Sequence, residues 1–141
     1  MRLVSHEVTI AAPATEVWKH LTTADGLMRW VGPEAVAEPV PDGHLEWMHP
    51  DGSRVVGQFV ELVPHRRIVF TYGWKDGRMG VPPGSTTVEI DLVETDGVTT
   101  VRLTHHGLPP AFAPDHERGW TYFLGILRDR IQTAGSEEDH A

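Results

Sequence analysis

The stretch from Pro114 to Gln132, P-D-H-E-R-G-W-T-Y-F-L-G-I-L-R-D-R-I-Q, constrains the fold more than any other part of the chain. Trp120, Leu124, Leu127 and Ile131 recur at the period of one helix face, and Phe123 widens that stripe. Glu117, Arg118, Thr121, Arg128 and Asp129 fall on the other side. Pro114 suits the first turn of a helix, and Asp115 and Glu117 suit its electropositive end. Gly135 and the polar residues after it predict where the helix stops. Nearly everything before this helix has the texture of strands. A single long helix after many strands predicts a sheet that wraps around it.

The upstream pattern supports that reading. Val4, His6, Val8 and Ile10 alternate with Ser5, Glu7 and Thr9, as in a half-buried strand. Ala12-Pro13 ends it and opens a short helix in which Ala14, Val17, Trp18 and Leu21 share a face. Leu27, Met28 and Trp30 predict a second helical turn, closed by Gly32-Pro33. Short strands follow at 34–39, around Leu45 and Trp47, and at 54–62, where Val56, Val60 and Leu62 are expected on one face. Ile68, Phe70, Tyr72 and Trp74 alternate cleanly in the next strand. Pro41-Asp42-Gly43 and Pro50-Asp51-Gly52 read as turns, since Pro sets φ and Gly accepts a positive one. Residues 75–84 read as a long loop with an apolar tip at Met79 and Val81, open to a gating role. Val88, Ile90 and Leu92, then Val101, Leu103 and His105, mark two strands joined by a hairpin at Asp96-Gly97. Short connections between consecutive strands predict antiparallel pairing.

The expected fold class is therefore α+β: a curved antiparallel sheet of about seven strands wrapped on a long C-terminal helix, with two short helices after the first strand. Residues 1–133 are expected to form a single domain, and 134–141 a disordered acidic tail. The formal net charge of −8, with no basic cluster, argues against nucleic acid as a partner. The absence of cysteine excludes disulfides, thiolate metal sites and a cysteine nucleophile. No leader-like segment and no apolar run of the roughly 20 residues a membrane helix needs are visible, so a cytoplasmic protein without membrane insertion is expected.

Several short pieces together resemble a known family. They are A-A-P-A-T-E-V-W-K-H-L-T at 11–22, L-M-R-W at 27–30, M-H-P-D-G at 48–52, and V-G-Q-F-V-E-L-V-P-H-R-R-I-V-F-T-Y-G-W at 56–74. L-T-H-H-G-L at 103–108 and G-W-T-Y-F-L-G-I-L at 119–127 complete the set. The chain resembles the AHSA1-like (Activator of Hsp90 ATPase homologue 1-like) branch of the START/Bet v 1-like superfamily over about residues 4–132. The resemblance implies the helix-grip fold and a cavity for apolar molecules such as lipids or polyketides. It also leaves open a cyclase or hydrolase, and, from the namesake, a chaperone-associated role. At Gly43-His44-Leu45 the chain departs from the family's usual second glycine.

Catalytic signatures are missing. There is no G-x-S-x-G, and His116-Glu117 begins H-E-x-x-H only to meet Trp120 where the second histidine belongs. His44-Leu45-Glu46 opens a deaminase-like motif whose cysteines do not exist here. No phosphate-cradling glycine loop occurs. Neither a catalytic residue, nor a metal site, nor a cofactor is therefore expected, and whether the chain is an enzyme stays open. His6 and His105 fall on apolar strand faces. His105 reads as a ligand anchor, as a general base paired with Tyr72, or as a hydrogen-bonded core histidine; without a visible acid partner the last is favoured. The aromatic residues carry more weight together. Trp47, Phe70, Tyr72, Trp74, His105, Trp120, Phe123 and Leu127 are the candidate ligand-binding residues, on the strand face and the helix that should enclose a small apolar ligand. Trp30 is expected to pack the short helices, and Trp18 to lie in the core. The ligand's identity and the oligomeric state are not legible.

Overall fold

The structure, a computed structural model, describes residues 2–140, with side chains described over 3–134. Strand β1 spans Arg2–Ile10, helix α1 Ala14–Thr22 and helix α2 Ala24–Leu27. Six strands follow: β2 (Glu34–Ala37), β3 (His44–Met48), β4 (Arg54–Val63), β5 (Arg67–Trp74), β6 (Thr86–Thr95) and β7 (Val98–Leu108). Helix α3 runs from Ala113 to His140. The strands form one antiparallel sheet in the order β1-β7-β6-β5-β4-β3-β2. The predicted α+β class and element order are those observed.

Local chemistry explains the joints. Pro13 sits at the cap of α1 in extended geometry rather than inside the first turn. The Ala14 N–H donates to Glu94 Oε1 at 2.6 Å, tying the helix start to β6. Thr23 Oγ1 accepts from the Gly26 N–H at 3.0 Å and caps α2. Asp96 and Gly97 both take positive φ, at 52° and 80°, as a two-residue hairpin of this hand requires.

Helix α3 packs on β1 and α1. Trp120, Leu124, Leu127 and Ile131 are all buried, so the predicted stripe is the packed one. Its backbone stays helical through His140, past Gly135, where the sequence pattern led us to expect the end of the helix and an acidic tail. Opposite it, Ile68, Phe70, Tyr72 and Trp74 of β5, Val88, Ile90 and Leu92 of β6, and Val101, Leu103 and His105 of β7 point into the core.

Three expectations are corrected. In β4 the inward side chains are Val55 and Phe59, while Val60 is 52% exposed. A register shift between Phe59 and Glu61 exchanges the two faces, so Leu62 alone of the expected set turns partly inward. On α1 it is His20, not Trp18, that is fully buried; Trp18 packs at the core's edge against His65, ring centroids 5.8 Å apart. Trp30 is buried as expected and donates its indole N–H to the His20 carbonyl at 2.8 Å. Val81 is not a loop tip but fully buried core. Its carbonyl accepts from the Trp74 N–H at 2.7 Å, which folds the 75–84 loop back over the end of β5. Gly73 permits this, because a Cβ there would collide with the Pro82 carbonyl oxygen.

Candidate functional site

A cavity of ≈ 920 Å³ opens between the first half of α3 and the β3–β5 side of the sheet. That volume lies in the usual range for a small-molecule site. Its floor is Trp47 from β3, Tyr72 and Trp74 from β5, and His116 and Trp120 from α3. Its mouth is built from the segment after α2 (Met28 to Pro33), the turn between β3 and β4 (Pro50, Asp51), the 75–84 loop (Arg78, Met79) and the outer face of α3 (Tyr122, Phe123, Ile126). The loop therefore stands at the mouth, but it does so through Arg78 and Met79. A short 3-10 turn over Arg78–Gly80, with Met79 at φ 55°, presents both residues there.

Three tryptophan–histidine pairs build the floor. Trp47 Nε1 donates to His49 Nε2 at 3.2 Å, Trp74 Nε1 to His116 Nε2 at 3.1 Å, and Trp120 Nε1 to His105 Nδ1 at 3.0 Å. An indole N–H can only donate, so each receiving ring nitrogen carries no proton. The proton sits on the other nitrogen in every case. His49 Nδ1–H donates to the Val31 carbonyl at 2.9 Å, and His116 Nδ1–H to the Phe112 carbonyl at 2.7 Å. His105 Nε2–H donates to Thr86 Oγ1 at 2.8 Å, and that hydroxyl passes its own proton to the Tyr72 carbonyl at 2.7 Å. Burial depresses the basicity of all three imidazoles, most strongly for His105, held at about 3 mainly by burial and further by the neighbouring His116 and His106.

Tyr72 lies at the centre of this cluster. Its ring meets His105 edge-on at 4.5 Å, Trp120 at 5.9 Å, Trp74 at 6.0 Å and Trp47 at 6.1 Å. Burial alone pushes its phenol well above the ordinary range, so it stays protonated. His49 also stacks on Phe123, with centroids 4.5 Å apart and planes 21° from parallel. At the mouth the Arg78 guanidinium lies over the Trp74 ring at 5.6 Å and is gripped by Asp76. The Ser53 hydroxyl and N–H hold the Asp51 carboxylate below its usual range.

Of the predicted site residues, Trp47, Tyr72, Trp74, Trp120 and Phe123 face the cavity. Phe70, His105 and Leu127 do not line it. Phe70 sits one layer behind, edge-on to Trp47 at 6.1 Å, and Leu127 is fully buried core. His105 is fully buried with both ring nitrogens committed, so it anchors the floor rather than meeting a guest. That commitment also removes it as a general base for Tyr72, with which it shares ring contact but no hydrogen bond. His49 and His116 were missed. Trp47, in β3, and His49, one residue past its end, stand two residues apart in the sequence, a local signal for that pair. Among the described residues, no group of three His, Asp or Glu side chains is placed to hold a metal ion, and no helix is long and apolar enough to cross a membrane.

A family model described as Activator of Hsp90 ATPase homolog 1-like protein matches residues 11–132. An AHSA1-like protein from Rhizobium etli, solved by NMR, is 38% identical with a TM-score of 0.70, covering 93% of this chain and 82% of that one. The Aha1 dimer from Colwellia psychrerythraea is 23% identical with a TM-score of 0.79, covering 94% and 97%. DynU16, from the dynemicin biosynthetic locus, is 23% identical with a TM-score of 0.79, covering 94% of this chain and 48% of that one. No curated protein matches the sequence.

Proposed function

Because this chain belongs to the Activator of Hsp90 ATPase homolog 1-like family, whose fold commonly binds hydrophobic ligands, we propose that it binds a small apolar or amphipathic molecule in the cavity between α3 and the sheet. The observation that carries this reading is the ≈ 920 Å³ cavity floored by three indoles and a tyrosine. Large aromatic rings at a concave surface with few polar groups are what an apolar guest needs. Burying a few such contacts, each on the order of 1–3 kcal/mol, reaches micromolar affinity. Among the described residues the histidines of the floor have both ring nitrogens committed to indole N–H groups and to carbonyl or hydroxyl oxygens, so binding without covalent chemistry fits the floor better than a cyclase or hydrolase does. The dynemicin-locus neighbour makes polyketide-like aromatics a reasonable class to try beside lipids. The single domain over residues 1–133 belongs to the same proposal.

The test is an amide NMR titration with fatty acids, sterols, flavonoids and aromatic polyketides, repeated on Phe123→Ala. Phe123 is only half-buried at the mouth, so its truncation should spare the fold. One class shifting the amides around Tyr72, Trp74 and Trp120, with weaker binding to Phe123→Ala, supports the reading. A well-dispersed spectrum that no class perturbs overturns it. The family match also suggests a second reading, a chaperone-associated role, and failure to co-purify with an Hsp90-type chaperone would remove it.

A further inference from the structure

Among the described residues, the floor of the cavity offers a guest one uncommitted polar side chain. The three indole N–H groups are spent on histidine nitrogens, and the remaining imidazole protons go to the Val31 and Phe112 carbonyls and to Thr86 Oγ1. Tyr72 is different. It is 4% exposed and lines the cavity, yet among the described residues its hydroxyl has no hydrogen-bond partner. Nor is that oxygen among the polar atoms sealed from solvent without a partner, so its residual exposure is toward the cavity. The ring contacts with His105, Trp74 and Trp120 hold the phenol in place. A protonated phenol donates to a carbonyl or phenolic oxygen and accepts in return. Among the described residues the arginines that line the cavity, Arg29, Arg78 and Arg130, belong to its outer segments, so a neutral oxygen suits the buried end better than an ionised carboxylate.

Building on the binding reading above, we propose that the guest is a flat aromatic compound with a neutral carbonyl or phenolic oxygen at its buried end, and that the Tyr72 hydroxyl selects it. The flatness follows from the walls, which are the rings of Trp47, Trp74, Trp120, Phe123 and His49. The neutral oxygen follows from the unpartnered hydroxyl, which costs least when a ligand satisfies it.

The probes are 9-fluorenone and fluorene, near-isosteres that differ by a carbonyl in place of a methylene. Both are titrated by amide NMR into the wild-type protein and into Tyr72→Phe. Fluorenone should bind the wild type about five- to tenfold more tightly, as one added hydrogen bond gives. Tyr72→Phe should bring the two within about twofold, with the spectrum still dispersed, since the hydroxyl it removes has no partner among the described residues. Equal affinities in the wild type, or a preference that survives in Tyr72→Phe, overturns the selection by Tyr72 and leaves cavity binding standing. Silence from both compounds while a fatty acid or sterol binds overturns the aromatic guest alone. Silence from every compound overturns the binding reading itself. The wild-type comparison needs no variant, so it decides even if Tyr72→Phe folds poorly.

Discussion

Lowering the pH from 7 to 5 should weaken this fold through His105. In the native state the imidazole is neutral: Nδ1 accepts from Trp120, Nε2–H donates to Thr86, and its basicity is held at about 3. Unfolding releases it to the ordinary histidine range near 6.5, where at pH 5 it takes up a proton. A base whose native pKa is depressed contributes stability that is full above the unfolded value and is lost as pH falls. The loss therefore runs from about pH 6.5 down toward the native value. Between pH 7 and 5 the linkage integral for one such group is about 2 kcal/mol. His49 and His116 shift in the same direction and add to it. The lowered carboxylates, Glu46, Asp51 and Asp76, titrate below this window and contribute little to it. With a urea m-value of roughly 1.5 kcal/mol/M, the midpoint should fall by at least about 1 M. The assay is urea unfolding followed by tryptophan fluorescence at both pH values, for wild type and His105→Gln. A wild-type midpoint unmoved between pH 7 and 5 would refute the neutral, sealed imidazole. So would a His105→Gln variant that keeps the whole loss.

Three further outcomes follow from the same contacts. Long-range nitrogen–proton NMR of the histidine rings should find His105 protonated on Nε2 and His49 and His116 on Nδ1, and any reversal means the indole–imidazole pairs are not formed as described. Trp120→Phe should cost about 2–4 kcal/mol in urea unfolding, because it leaves His105 Nδ1 unsatisfied and shrinks a ring 5% exposed; a change under half that would show the bond contributes nothing. Gly73→Ala should destabilise by roughly 1–3 kcal/mol and shift the amides of residues 75–84, since its Cβ meets the Pro82 backbone; an unmoved loop spectrum would contradict the close approach.

Much of the fold was legible because it rests on local periodicity. The α3 stripe, the alternation of Ile68, Phe70, Tyr72 and Trp74, and the Asp96-Gly97 hairpin all state their partners' side of the chain in short-range pattern. What was not legible depends on long-range geometry. The bulge that exchanges the faces of β4 shows only in its pairing with β5, so Val56 and Val60 looked inward from alternation alone. Val81 looked like a loop tip because nothing in G-R-M-G-V-P-P-G announces that the chain folds back to hand its carbonyl to Trp74.

The candidate site divides along the same line, and the division bears on which residues to mutate. Aromatic content picked out five residues that face the cavity, but it could not separate a ring that forms the fold from one that meets a guest. Trp120 does both: its ring faces the cavity while its N–H satisfies a fully buried histidine across 15 residues of sequence. Trp74 likewise holds His116 across 42 residues. Truncating either to alanine would collapse a hydrogen-bonded pair together with the wall, and lost binding would then say nothing about recognition. Neither Phe123, which stacks on His49 at the mouth, nor the Tyr72 hydroxyl closes a buried hydrogen bond of that kind. Phe123 is half-buried at the mouth and the hydroxyl has no partner among the described residues. A binding defect at those two positions, with the urea midpoint unchanged, is therefore attributable to the guest, whereas the same defect at Trp74 or Trp120 is not.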